Sequence, residues 1–260
     1  PYELCNKPLY NVGGSLIDLS KENVIDMEQT PKSKDYNLEW KQFNRRFENE
    51  LRIIKNKVNL YFDGQQGRLI EVLNKKDIFK IEDFFTGEGE FLIFVNMVEN
   101  RLNYIMEQGV RFGGGKMEDS PYLKEQLSYI IKNLTSVNET TKKELLKAIK
   151  DTPDIIEAIK EKYSNFKQNR TPLISETIVE SGFNAGVHFA LKQMGFKEKI
   201  WVSQKDNSVR DSHRVADGQI VKIDEPFMVG NSALMYPGDP LGEAKEVINC
   251  RCTLIGRNNE

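Results

Sequence analysis

Residues 171–202 read TPLISETIVESGFNAGVHFALKQMGFKEKIWV, and the chain changes character within them. From Thr171 to about Met194 the larger Ile174, Ile178, Phe183 and Phe189 alternate with the small Gly182, Ala185, Gly186 and Ala190. That spacing predicts a helix, with Thr171-Pro172 as a cap-then-proline start. The small residues let another backbone approach closely, and in a water-borne chain this points to core packing before a dimer seam. After Gly195 the pattern becomes short β-prone runs at 200–202, 220–223, 233–236 and 253–255. Asp217-Gly218 and Pro237-Gly238-Asp239-Pro240 are the turns between them.

Upstream the chain reads as helical. Trp40, Phe43, Phe47, Leu51, Ile54, Val58 and Tyr61 recur at spacings of three and four, continuing weakly through Leu69 and Leu73. They predict one amphipathic helix about 50 Å long, with Gly64 and Gly67 as the places for a bend. Phe91, Val95, Val98, Leu102 and Ile105 mark a second helix that stops before Gly113-Gly114-Gly115. Lys116 after that run invites a phosphate-loop reading, which Val110 and Met117 defeat because the motif needs Gly and Ser or Thr there. Ser120-Pro121 opens a helix with Leu123, Leu127, Ile130 and Leu134; Thr141 with Glu144 reads as a capping box, and Thr152-Pro153 as a further start. Residues 1–35, with Pro8, Gly13, Gly14 and Pro31, hold neither period and read as an extended arm. The fold class expected is therefore α+β: a mostly helical N-terminal region at 36–170, a small mixed helix and short-strand module at 171–256, and a tail at 257–260.

Composition excludes other classes. With 260 residues, 29% charged and 39% hydrophobic, the chain can bury a core without staples and is neither collagenous nor disordered throughout. Phe91-Leu92-Ile93-Phe94-Val95 is among the longest apolar runs, far short of the ~20 residues of a membrane span. Glu3, Lys7 and Asp18 speak against a secretory leader. A formal charge of −2 disfavours a globally basic nucleic-acid binder. Charge is nevertheless split: residues 41–76 hold nine basic and four acidic side chains, and residues 77–110 hold two basic and seven acidic. Complementary faces of two neighbouring helices explain this; the sharper alternative is a basic helix whose Arg45, Arg46, Arg52 and Lys55 meet an acidic partner or DNA phosphates.

The unusual side chains concentrate in residues 201–252: Asp206, Arg210, Asp211, His213, Asp217, Asp239, Asn249, Cys250, Arg251 and Cys252. Cys5 is the third cysteine, and an odd count with a C-x-C fits a reducing compartment better than a disulfide framework. A zinc site would use Cys250, Cys252 and His213, even His188, although C-x-C is tighter than the usual C-x₂₋₄-C. A thiol nucleophile would pair a cysteine with His213, oriented by Asp211 or Asp217. A calcium loop from Asp206 fails because Arg210 stands where an oxygen ligand is required. The plain structural reading outweighs all three: Asp, Asn and Arg around tight turns satisfy backbone groups, Arg210 and Arg251 clamp carboxylates, and both thiols of a strand-like C-x-C face the core.

These residues also carry a resemblance. Trp201 before a polar loop, Asp206, Arg210 and His213 in Asp-x-x-x-Arg-x-x-His, Asp217-Gly218, Pro226-Phe227, Tyr236-Pro237-Gly238-Asp239 and Asn249-Cys250-Arg251-Cys252 occur in the order seen in the Mu F-type head morphogenesis module of tailed phages, the minor capsid or minor head protein family. The preceding SETIVESGFNAG at 175–186 resembles that family's helix. The resemblance implies a non-enzymatic minor capsid protein at the portal vertex, inside the virion and in the host cytoplasm during assembly, acting in procapsid assembly and DNA packaging or ejection. Its implied partners are the portal protein, other head proteins and non-specific double-stranded DNA, with no membrane. No cofactor is implied; a structural zinc on His213, Cys250 and Cys252 stays open on chemical type alone. Two alternatives stand beside this reading: the C-terminal part of a portal–Mu F fusion, raised by the first residue Pro1, and a metal- or thiol-dependent enzyme centred on His213, Cys250 and Cys252.

Overall fold

The computed structural model describes residues 33–75, 80–150, 152–203 and 208–258, with side chains described from Glu48 onward. All but the last three residues of the expected arm at 1–35 lie outside that range, and residues 33–35 belong to the first helix. Helix α1 spans Ser33–Lys75, about 65 Å at 1.5 Å per residue, and continues through Gly64 and Gly67. After the short α2 (Ile81–Phe84) come α3 (Gly89–Phe112), α4 (Pro121–Asn133), α5 (Thr135–Ile149), α6 (Ile155–Asn165) and α7 (Thr171–Gln193). The rest is β1 (Glu198–Val202), α8 (Asp211–Ala216), β2 (Ile220–Lys222), β3 (Phe227–Val229), β4 (Ser232–Leu234), α9 (Ala244–Val247) and β5 (Thr253–Arg257). The α+β class is as read from the sequence.

The apolar periodicity of the helices becomes the core. Leu51, Ile54, Val58, Tyr61 and Leu69 of α1 are buried, as are Val95, Val98, Leu102 and Ile105 of α3. All but Val95 join one continuous cluster that runs on through Ile178 and Phe183 to Trp201 and Leu254. Helix α7 lies in its middle and is buried from Phe183 to Leu191 on every side. Its small residues admit α3 within the same chain: a Cβ on Gly186 would sit 2.1 Å from the Met106 carbonyl oxygen, and one on Gly109 would sit 2.0 Å from that of Phe183. The Gly113-Gly114-Gly115 run ends α3 and continues the contact, since Cβ atoms on Gly113 and Gly115 would meet Ala190 at 2.6 and 2.8 Å. Gln193 then holds Lys116, accepting from its backbone N–H at 2.6 Å and donating to its carbonyl at 3.1 Å.

Two expected helix starts are corrected and a third is refined. Thr141 lies inside α5, where its hydroxyl donates to the Val137 carbonyl at 2.7 Å and accepts from Arg170 at 3.0 Å; it caps nothing. The cap of α6 is Asp154, whose carboxylate accepts from the Glu157 backbone N–H at 2.9 Å, so Thr152-Pro153 stands before the helix. Thr171-Pro172 does open α7, with Pro172 in its first turn, though the cap position is Arg170 and no side chain caps it. Phe166–Arg170 forms a wider π turn that joins α6 to α7, and it provides the local adjustment that Pro172, lacking an N–H, requires.

The charge split is met in part within the chain. Arg68 grips Glu90 through two bonds of 2.7 and 2.8 Å, Arg101 pairs with Glu50 in the reverse sense, and Lys55 faces Glu176 at 3.6 Å. Between the helices Gln65, fully buried, donates to Tyr61 at 2.7 Å and to Asn138 at 3.0 Å, and accepts from Tyr163 at 3.1 Å.

The strands form a three-stranded antiparallel sheet, β2-β1-β5, with Ile200 opposite Ile220 and Ile255 and Trp201 opposite Leu254. A separate hairpin pairs β3 with β4, Val229 opposite Ser232, closed by Gly230 at φ +57°. The expected strand at 233–236 is shorter and starts earlier, and β3 was not anticipated because its three residues show no alternation long enough to register.

A contrast between two glycines tests the helix crossing. Gly109→Ala should destabilise the chain by about 3 kcal/mol, since a backbone must move to admit the methyl. Gly67→Ala, at an exposed helical position with open space around its Cβ, should stabilise by up to about 1 kcal/mol. Chemical denaturation midpoints read both.

Candidate functional site

Helix α7 presents Ser181 and Asn184 to the loops of the C-terminal module. Asn184, fully buried, donates to the carbonyls of Pro237 at 3.1 Å and Cys252 at 3.0 Å, and its own oxygen accepts from the Thr253 hydroxyl at 2.9 Å. Ser181 donates to the Gly238 carbonyl at 2.7 Å. Gly238 is at φ +79°, and a Cβ there would crowd Ser181 at 3.1 Å, so only glycine suits that turn. Asp239 closes the loop on itself: its buried carboxylate accepts from the backbone N–H groups of Met235 at 2.7 Å and Leu241 at 2.9 Å. Burial still pushes its carboxyl up against those two bonds. The Tyr236 hydroxyl reaches across to Gln126 of α4 at 2.7 Å. The Tyr-Pro-Gly-Asp element is thus a docked loop, each polar group accounted for by the fold.

The second convergence is around His213, Cys250 and Cys252, which are 1–2% exposed. Arg210 precedes α8 and donates to the Ile248 carbonyl, tying that helix to the loop before Cys250. Asn249 then takes φ +54°, a left-handed value that asparagine tolerates, while its N–H donates to Thr177 of α7 at 3.0 Å. The turn brings Cys250 and Cys252 to the same side, just before β5 begins. His213 Nδ1 lies 3.3 Å from Cys252 Sγ and 3.7 Å from Cys250 Sγ. Its Nε2 lies 3.2 Å from Glu246 Oε2, close enough for an ion pair though not aligned for a hydrogen bond. Glu246 is buried and also accepts from the Ser212 hydroxyl at 2.7 Å. The Trp201 ring stands edge-on to His213 at 5.6 Å and to Phe227 at 5.3 Å. Hydrogen bonding with Cys252 holds the Cys250 thiol down, with His213 adding to it against burial. Burial pushes Cys252 up, and Cys250 beside it adds to the rise.

Several expectations change here. Neither Asp211 nor Asp217 orients His213: Asp211 pairs with Arg214 at 2.5 Å, and Asp217 accepts from the Ser203 N–H at 2.9 Å beside Gly218 at φ +77°. Glu246 takes that place, and no periodicity or turn rule in the sequence marks it. Arg210 holds a carbonyl where a carboxylate was expected. Arg251 acts on Glu180 of α7, whose carboxyl burial pushes well up. Cys250 and Cys252 lie just outside the strand in which they were expected. Asp206 and Cys5, and the side chains of Arg45 and Arg46, lie outside the described residues. Arg52 is exposed and bonded to Asn49 at 2.8 Å.

His188 is remote from the cysteines. Its Nε2 lies 3.0 Å from the Ile223 carbonyl and therefore carries the hydrogen, leaving Nδ1 to accept from the Tyr122 hydroxyl at 2.6 Å. Burial lowers its pKa to about 3 and keeps it neutral. Lys199, fully buried beside it, donates to the Met235 carbonyl at 2.8 Å. A cavity of about 410 Å³ opens between α4, α5, α7 and the loop at Pro240, lined by Ile130, Leu134, Leu173 and Ile248. Neither His213 nor the cysteines line it.

The architecture is a helical body whose helix α7 anchors a small β module, with motif side chains holding the module's loops. Residues 125–255 match the family model described as Phage Mu protein F like protein, about half of the chain, and the chain belongs to that family, one of phage head morphogenesis. Two curated relatives match shorter stretches. The uncharacterized protein YqbB of Bacillus subtilis (strain 168) is 33% identical over 90 residues, covering 33% of this chain and 29% of the relative. The NAD(+)–arginine ADP-ribosyltransferase EFV of Enterococcus faecalis (strain ATCC 700802 / V583) is 35% identical over 65 residues, 25% of this chain and 13% of the relative. The chain thus spans less than a third of either. No solved structure matches it.

Lys199 gives the site a measurable pH signature. Burial lowers its pKa from 10.5 to about 7, so between those values the unfolded chain binds the proton that the folded chain releases. Folding stability should rise with pH over that window, and the rise should be absent from Lys199→Met. The difference between the two proteins should change by roughly 3 kcal/mol from pH 7 to pH 10, read by denaturant titration.

Proposed function

We propose that the chain is a minor head protein of a tailed phage or prophage, incorporated at the portal vertex during procapsid assembly and present in the virion when DNA is packaged or ejected. One observation carries the reading. The family match covers Tyr236 to Asp239 and Asn249 to Cys252, and the structure accounts for these residues as docked loops and a buried cluster rather than an open catalytic cleft. An enzyme centred on His213 would need a path for substrate. At 1–2% exposure, His213 and both cysteines offer none, and the adjoining cavity does not reach them. The match to an ADP-ribosyltransferase covers 13% of that protein and brings no transferase activity with it.

In this reading the C-terminal module is the compact folded end, and the helical region makes the partner contact. Lys55 and Arg68 face carboxylates of the same chain, which leaves the N-terminal part of α1, with Arg45, Arg46 and exposed Arg52, as the basic stretch that meets the portal, another head protein or DNA.

Quantitative mass spectrometry of purified particles tests the location: the chain should be present at low copy relative to the major capsid protein, and its absence would contradict the reading. Arg45→Glu, Arg46→Glu and Arg52→Glu together should leave the melting temperature within about 2 °C and weaken association with the portal about tenfold or more. Portal binding that survives the triple change would remove α1 from the interface. Binding that falls steeply with salt on DNA alone would assign the stretch to phosphates instead.

A further inference from the structure

We propose that His213, Cys250 and Cys252 form a zinc site that clips α8 to the loop entering β5. The donor atoms of the three residues lie within 4.8 Å of one another, all buried. Tetrahedral zinc, with bonds of about 2.3 Å to sulfur and about 2.0 Å to nitrogen, holds a sulfur and a nitrogen about 3.5 Å apart. The two observed sulfur-to-Nδ1 separations, 3.3 and 3.7 Å, bracket that edge length. Both sulfurs face the same ring nitrogen, the arrangement of three ligands around one ion. Two thiolates and an imidazole are a soft donor set that selects zinc over magnesium or calcium, which take oxygen.

The surroundings add an independent argument. His213 Nε2 is buried without a well-aligned hydrogen bond and lies 3.2 Å from the buried Glu246 carboxylate. A histidine that ligates through one nitrogen characteristically turns the other toward a carboxylate, which fixes the tautomer and raises its basicity as a ligand. Ser212 holds that carboxylate in place at 2.7 Å. The Trp201 N–H is likewise buried without an aligned acceptor, and its ring stands edge-on to His213 at 5.6 Å. Binding displaces the two thiol protons to solvent, and the ion's two positive charges offset the two thiolates, while the Glu246 carboxylate is met by His213 Nε2 and the Ser212 hydroxyl. Three protein ligands leave one tetrahedral position for water or a further donor.

The inference stands apart from the head-protein reading, because a zinc clip would serve this module in any role. The test uses the untagged full-length chain, reduced and stripped of metal, titrated with cobalt(II) and then with zinc(II). About one cobalt per chain should bind, with a thiolate-to-cobalt charge-transfer band and the intense visible bands of four-coordinate geometry, and zinc should displace it. Zinc should raise the melting temperature of the stripped protein. Glu246→Gln, which leaves all three ligands in place, should weaken zinc binding by roughly 10- to 100-fold while keeping the cobalt spectrum. Loss of the spectrum in Cys250→Ser with Cys252→Ser would support the assignment. A wild-type titration with no charge-transfer band and no change in melting would overturn it, as would unchanged cobalt stoichiometry and spectrum in the double variant. The wild-type titration does not depend on any variant folding.

Discussion

The backbones of α3 and α7 approach so closely that Gly109 and Gly186 leave no room for even a methyl group, and this crossing sets where everything else can stand. It buries α7 along most of its length, which requires the far side of the helix to be covered as well. Helices α1 and α4 and the β module share that cover. The module's attachment is apolar and polar together: Trp201 and Leu254 share one core with α7, and Ser181 and Asn184, one helical turn apart, hold the Tyr-Pro-Gly-Asp loop and the chain at Cys252 by side-chain-to-backbone hydrogen bonds. A buried asparagine whose three bonds are all made contributes to stability and, more sharply, penalises any other docking, because misplacement would strand several carbonyls without partners.

From that attachment follows the chemical character of the module. Loops with little apolar surface are kept in shape by Asp239, Asp217 and Arg210, each engaged with backbone groups. The cysteine pair and His213 lie deepest, between α8, the turn at Asn249 and the Trp201 ring. Enzyme sites place perturbed groups where a substrate can reach them; here the perturbed groups are sealed in. That burial supports the proposed structural role, alongside membership of a phage head morphogenesis family.

The long helices were legible in the sequence because they carry four or more apolar residues at a fixed period, as Leu51 to Leu69 and Val95 to Ile105 do, whereas the short α2, α8 and α9 carry no such period. Helix starts were less so. Thr141 matches a cap pattern, yet its buried hydroxyl bonds to Val137 and Arg170 inside a continuous helix, tertiary packing overriding a local signal. The cysteines and His213 were read together from chemical type alone, and they do meet. Glu246 and Lys199 were missed for a common reason: a buried charge is recognised by what surrounds it, and their neighbours, His213 for one and Met235 for the other, are far away in sequence.

The central claim is that the module is held on α7 by Asn184 and that its motif loops are parts of one docked body. Hydrogen–deuterium exchange on Asn184→Ala tests this most directly. The account predicts that amides at 236–242 and 250–254 lose protection by about 100-fold or more through local opening, the effect of removing roughly 3 kcal/mol of buried hydrogen bonding, while amides at 98–110 in α3 keep most of theirs. Unchanged protection in both loops would show that the module is held by other means, and the account would be wrong.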